Sequence, residues 1–153
     1  YRDKTADDAI RLDQARKLKE LCHTYDALFL VNDRVDLALA VDADGVHLGQ
    51  QDMPISVARN LLGPHRLIGR STTNSDEMQR AITEGADYVG VGPVYETPTK
   101  EGKVAAGLQY VNYAAKNCPI PWFAIGGIDP NNLNDVIEAG ANRVAIVRSI
   151  MQA

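Results

Sequence analysis

The stretch LFLVNDRVDLALAVDADGVHLGQQD, residues 28–52, decides the fold. It holds two short apolar runs, Leu28 to Val31 and Gly45 to Leu48. The first ends on Asn32-Asp33 and the second on Gly49-Gln50-Gln51-Asp52. Runs this short and this apolar read as strands buried on both faces, the form parallel strands take when helices cover the sheet. A helix is predicted from Arg34 between them. Strand, polar end, helix, strand, polar end is one βαβ step.

The same step recurs on both sides. Further runs at Leu67 to Gly69, Tyr88 to Val94, Trp122 to Ile125 and Val144 to Val147 alternate with segments of helical period. Tyr1 with Arg2 reads as the frayed end of a seventh strand. A helix is predicted from Asp7 to about Tyr25, with Ile10, Ala15, Leu18 and Leu21 along one stripe and Thr5 and Asp7 as capping candidates. Gly63, Gly85 and Gly140 lie where helices should stop. Pro54, Asn74 with Asp76, and Asp129 with Pro130 lie where they should start.

Two architectures fit this alternation, an open doubly wound sheet and a closed (β/α)8 TIM barrel. Length favours the open sheet, since a barrel takes roughly 200 residues or more. The polar residues favour the barrel. Nearly every strand ends in a reactive or glycine-rich cluster: Arg2-Asp3-Lys4, Asn32-Asp33, Gly49 to Asp52, Ser71-Thr72-Thr73, Thr97 to Lys100, and Gly126-Gly127. A barrel brings all of these to one rim, where its active sites sit, whereas an open sheet strings them along an edge. The expectation is therefore one α/β barrel domain over residues 1–153, with about seven of eight βα units visible. The first unit, part of the second strand and the last helix are expected to be missing.

The 153 residues are 45% apolar and 24% charged, with a net charge of −4. That composition builds a globular core and carries no basic patch for nucleic acid or an anionic membrane. Cys22 and Cys118 fit neither a zinc spacing nor a disulfide framework, which points to reduced thiols and a cytoplasmic location. No signal peptide and no apolar run near 18 residues is visible, although the chain opens on Tyr1 rather than Met. The partners expected are small-molecule substrates, with no nucleic acid and no membrane; a homo-oligomer is compatible with the sequence.

Asp33 and Asp52 end consecutive strands 19 residues apart, so in a parallel barrel both carboxylates can face one point above the rim. Two carboxylates and substrate phosphate oxygens suit Mg²⁺, a small hard ion that keeps several waters. Each aspartate, taken by itself, also reads as a cap for the helix that follows it.

Seven segments in order carry a resemblance: YRDKT (1–5), VNDRVDLA (31–38), GVHLGQQD (45–52), GRS (69–71), DYVGVGPV (87–94), TPTK (97–100) and IGGI (125–128). Together they make the chain resemble the thiamine-phosphate synthase family from end to end. The resemblance implies a Mg²⁺-assisted transferase that joins a hydroxymethylpyrimidine diphosphate to a thiazole phosphate in thiamine biosynthesis. It assigns the metal to Asp33 and Asp52. Tyr1, Arg2, Asp3, Lys4, Asn32, Ser71 and Lys100 go to the pyrimidine diphosphate, with Arg2, Ser71 and Lys100 as the catalytic group. The family's glutamine just before the position of Tyr1 is not in this sequence. Thr97, Pro98, Thr99, Gly127, Val147 and Arg148 go to the thiazole phosphate, Arg148 standing where some relatives have serine. The alternatives are a related barrel that isomerises a thiazole phosphate and a non-catalytic barrel that binds thiamine phosphate. On the barrel reading, Tyr1 to Ala153 expressed alone is expected to be inactive and to aggregate; a soluble monomer with synthase turnover would overturn it.

Overall fold

The computed structural model describes residues 1–97 and 104–151. Among these, six strands alternate with seven helices: α1 (Asp8–Thr24), β1 (Leu30–Asn32), α2 (Val35–Ala40), β2 (Gly45–Leu48), α3 (Ile55–Leu62), β3 (Leu67–Thr72), α4 (Ser75–Thr83), β4 (Tyr88–Val91), α5 (Gly107–Asn117), β5 (Trp122–Ile125), α6 (Leu133–Glu138), β6 (Val144–Ala145) and α7 (Arg148–Met151). The strand order in the sheet is the sequence order, β1 to β6. The chain forms two compact units, Tyr1–Gly69 and Arg70–Ala153.

In the first unit β1 and β2 pair in parallel, Leu30 opposite Gly45 and Asn32 opposite His47. Tyr1 lies against β1 as the sequence predicts for a strand end. Its nitrogen donates to Leu30 O at 2.6 Å, and Asn32 N donates to Tyr1 O at 2.9 Å. Leu67 N donates to Asp44 O, which starts β3. Leu28 stays exposed outside the ladder, so β1 begins at Leu30. Val31, Val46 and Leu48 are buried with Val35 and Ala38 of α2 and with Ile55, Ala58 and Leu62 of α3. The predicted stripe of α1 is different. Only Ala15 is buried, while Ile10, Leu18 and Leu21 are exposed. Asp7 is the N-cap of α1 without a side-chain bond, and Thr5 turns its hydroxyl to Asp3 instead.

In the second unit β4, β5 and β6 form a parallel ladder, Val89 opposite Trp122 and Ala124 opposite Val144. Gly92 N donates to Thr72 O, linking the ends of β3 and β4. β4 stops at Val91 rather than Val94 because Pro93 has no N–H to extend a ladder. β6 stops at Ala145 because Val147 O already accepts the N–H groups of Ile150 and Met151, which start α7. α4 begins at the predicted cap. Asn74 Oδ1 accepts from Glu77 N, and the Glu77 carboxylate accepts from Thr73 N and its hydroxyl. The N-cap position of α6 is Asn132, without a side-chain cap bond, and the turn leading into it starts at Asp129, whose Oδ1 accepts from Asn131 N and whose carbonyl accepts from Leu133 N.

Side-chain alternation along β3 separates two roles. Thr72, fully buried, donates to Gly90 O at 2.9 Å and accepts from Tyr110 of α5 at 2.6 Å, while Ser71 points the other way. Loss of solvation pushes the Tyr110 phenol up, so it stays a donor. The turn after β5 packs backbone to backbone on the segment after β4. A Cβ added to Gly126 would lie 2.5 Å from Pro93 Cβ, and one on Gly127 would lie 2.7 Å from Tyr95 Cβ and 2.9 Å from Glu96 O. Both have positive φ, 101° and 67°. Glycine at 127 is thus required by this packing, and clearance for a phosphate is not its only reason.

This packing can be tested through stability. Thr72→Val takes the acceptor from the buried Tyr110 hydroxyl and should cost about 1–3 kcal/mol, whereas Tyr110→Phe leaves Thr72 bonded to Gly90 O and should cost about 1 kcal/mol. Urea midpoints at unchanged slope read the difference, and equal losses would contradict the hydroxyl chain. Gly127→Ala should destabilise by about 1–3 kcal/mol from backbone strain alone, and a neutral result would contradict the close approach.

Candidate active site

The segment Arg2 to Lys4, the end of β1 and Arg11 of α1 build a cleft of about 270 Å³ lined by Arg2, Asp3, Lys4, Arg11, Asn32, Asp33 and Arg34; Asp52 does not line it. Four cations and two carboxylates make it a cationic cleft. Asp33 follows β1, donates its N–H to His47 O, and sits at φ 63° in a tight turn closed by Arg34 N on Asn32 O at 2.8 Å. An i to i+2 bond around a residue of positive φ is a γ-turn, a strained form for an aspartate. Its Oδ2 lies 3.1 Å from Lys4 Nζ. Asp33 does not cap α2, whose N-cap is Arg34.

Asp52 does not cap α3 either, since the N-cap there is Pro54 without a side-chain bond. Its Oδ2 accepts from Gly49 N at 2.6 Å, and Asp52 N returns a bond to Gly49 O at 3.2 Å. This closed turn fixes the carboxylate beyond the end of β2. A Cβ on Gly49 would stand 2.9 Å from that same oxygen.

Asp3 is an organiser of its own segment. Its Oδ1 accepts from Thr5 N, the Thr5 hydroxyl and Ala6 N at 2.8, 3.0 and 3.0 Å. The Thr5 and Ala6 N–H groups hold its carboxyl below the usual range. Tyr1 turns its phenol to Gln14 Oε1 at 2.7 Å and does not line the cleft. Of the residues assigned to the pyrimidine diphosphate, the cleft brings together Arg2, Asp3, Lys4 and Asn32.

Arg11 and Arg34 also line the cleft; the sequence assigns neither to the site, although Arg34 lies within the segment VNDRVDLA. Arg34 bridges two helices: Nε and Nη2 donate to Asp36 at 2.8 and 2.6 Å, and Nη1 and Nη2 donate to Asp8 at 3.0 and 3.4 Å. Arg11 adds a bond to Asp8 at 2.8 Å, and its Nε is buried without a partner among the described residues. The Arg34 guanidinium holds both Asp8 and Asp36 below the usual carboxylate range. Whatever stability these pairs add is present above the unfolded carboxylate pKa, about 3.9, and is lost as pH falls through the lower folded values. Exposed pairs of this kind add little to stability, so their importance is geometric.

The second unit holds a cavity of about 430 Å³ whose lining includes Ser71, Thr97, Gly127, Val147 and Arg148. Ser71 is 8% exposed and comes from β3, Thr97 from the segment after β4, Gly127 from the turn after β5, and Val147 with Arg148 from the end of β6. Five residues assigned from the sequence therefore meet in one cavity, and Ser71 stands with the thiazole-phosphate group. Pro93, Asp129 and Ser149 also line it. Asp129 is legible in the sequence only as a helix start; its Oδ1 accepts from Asn131 N at 2.8 Å. Pro98, Thr99 and Lys100 lie outside the described residues. No helix among the described residues is long and apolar enough to cross a membrane.

The profile of the family described as Thiamine monophosphate synthase matches residues 1–150. The chain is 78% identical over its whole length to the thiamine-phosphate synthase of Nostoc punctiforme and 71% identical over 152 residues to that of Synechocystis. It spans 44% of the length of each of these curated relatives. Among solved structures, the thiamine phosphate pyrophosphorylase of Pyrococcus furiosus matches 99% of this chain and 72% of its own, with a TM-score of 0.90 at 40% identity. A FabK mutant from Thermotoga maritima, at 22% identity and a TM-score of 0.71 over 93% of this chain and 50% of its own, shares the fold alone. The fold is thus the TIM-barrel-like α/β fold the strand ends predict, and by its profile and its relatives the chain belongs to the thiamine monophosphate synthase family.

Proposed function

We propose that the protein is a thiamine-phosphate synthase. It would condense 4-amino-2-methyl-5-hydroxymethylpyrimidine diphosphate with 4-methyl-5-(2-phosphoethyl)thiazole to give thiamine phosphate and diphosphate. The single observation that carries the reading is the pair Asp33 and Asp52. Both are fixed beyond the ends of two paired parallel strands, neither caps a helix, and the first touches Lys4 in a cationic cleft. The names of the curated relatives support it across the whole chain.

The donor set fits Mg²⁺. Among the described residues no three His, Cys, Asp or Glu side chains cluster, so a cation here would draw on two carboxylates and on substrate oxygens, as Mg²⁺ does. When bound, the ion would neutralise charge developing on the departing diphosphate. Arg2 and Lys4 would hold the diphosphate in the cleft, with Asn32 beside it, and the resemblance assigns Lys100 to the same group. The bond between the pyrimidine methylene carbon and the diphosphate oxygen breaks, and its electron pair leaves with the diphosphate. The lone pair of the thiazole nitrogen then forms the carbon–nitrogen bond to the resulting carbocation. No proton changes hands in this exchange, so the protein needs position and charge rather than a base. Thr97, Gly127 and the backbone of Val147 and Arg148 would hold the thiazole phosphate, and the resemblance assigns Pro98 and Thr99 to the same substrate. Ser71 is read as a contact between this cavity and the pyrimidine substrate. The domain is taken as one barrel working on soluble phosphates in the cytoplasm.

In the full-length protein, Asp33→Ala and Asp52→Ala should each reduce turnover about 100-fold or more, since one carboxylate of a metal site is worth several kcal/mol of transition-state stabilisation. Thiazole-phosphate binding should persist in both. Removing divalent cations with a chelator should abolish product formation, and Mg²⁺ should restore it. Near-normal activity of either variant would sink the assignment.

A further inference from the structure

We propose that Arg34 is the positioning residue that holds Asp33 in the conformation that presents its carboxylate to a cation. The inference rests on the metal reading of Asp33 above.

An aspartate at φ 63° in a γ-turn is strained and persists only where its surroundings fix both flanks. The upstream flank is fixed by the sheet: Asn32 N is bonded to Tyr1 O and Asp33 N to His47 O. The downstream flank begins at Arg34, the N-cap of α2, where no side-chain cap bond holds the chain. Its guanidinium does so instead. One edge grips Asp36 in the first turn of α2, and the other reaches Asp8 at the start of α1, 26 positions away in sequence. A planar fork of donors can satisfy two carboxylates at once; a lysine, with one compact ammonium, cannot hold the same pair in a fixed plane. The main-chain bond from Arg34 N to Asn32 O then closes the turn around Asp33. Released from this grip, Asp33 can relax toward negative φ and swing its carboxylate away from Lys4.

Titration of Mn²⁺ into the full-length protein with inorganic diphosphate present, followed through the resonance of the free ion, tests this without reference to turnover. Arg34→Gln and Asp36→Asn should each weaken Mn²⁺ binding about tenfold, the lower end of what losing the support of a metal ligand does. Arg34→Lys keeps the charge of the cleft and should recover only part of the loss. In an Asp33→Asn background, Arg34→Gln should add less than about a twofold effect, because the two act through one ligand. Full recovery in Arg34→Lys would overturn the inference by making Arg34 a charge for the diphosphate, and so would undiminished Mn²⁺ affinity in a folded Arg34→Gln. If Arg34→Gln fails to fold by circular dichroism, Asp36→Asn decides on the same criterion. Unchanged Mn²⁺ affinity in Asp33→Asn would overturn the metal reading itself and this inference with it, whereas a loss there without one in the Arg34 and Asp36 variants overturns the inference alone.

Discussion

Parallel pairing is the constraint on which the rest depends. When two strands run the same way, both reach their carboxyl ends on the same side, and the chain must return through a helix before the next strand starts. In the first unit this sets the turn at Asp33 beside the end of β2, with Asn32 opposite His47. In the second it gathers the segments after β4, β5 and β6 around one cavity. No single segment of the sequence contains either site. Each is assembled because residues far apart in the chain share the property of following a strand.

What differs between the two units is how the gathered residues are held. The first unit uses charge. Lys4 meets Asp33, Arg34 ties α1 to α2 through Asp8 and Asp36, and Asp3 orders its own segment through three hydrogen bonds. The second uses apolar packing and close backbone contact. Val89, Val91, Ala124 and Val136 are fully buried, Thr72 spends its hydroxyl inside, and the glycine pair lets two loops touch. Charged clefts of the first kind attract an anion and a cation together. The second kind gives a firm wall with few charges of its own.

Much of this is legible in the sequence because strands and caps leave local signals. Gly45–Leu48 and Trp122–Ile125 are found where their apolar runs predict, and Asn74 caps α4 as its position before a helical pattern suggests. The residues assigned from the sequence include five of one cavity and five of one cleft, Arg2, Asp3, Lys4, Asn32 and Asp33 among the latter. Other features leave no local signal. Arg11 and Arg34 sit on or beside helices, where a cation ordinarily reads as solvated, and nothing in sequence spacing tells that one guanidinium spans Asp8 and Asp36. The stripe on α1 is a correct helix pattern, yet which part is covered depends on what packs there, and only Ala15 is buried. Gly127 is a glycine for reasons in Tyr95 and Glu96, which no motif records.

The turn from Gly49 to Asp52 bears on which ion Asp33 and Asp52 would share. With Oδ2 already accepting from its own backbone at 2.6 Å, Asp52 presents Oδ1 as the less engaged oxygen, and the γ-turn sets Asp33 at a fixed angle with Lys4 already at its Oδ2. Calcium favours six to eight oxygens and often clasps a carboxylate by both, whereas magnesium is content with single oxygens at short range and water for the rest. Selection between these two ions would then come from how many oxygens the backbone leaves free, a discrimination by denticity written into a four-residue turn.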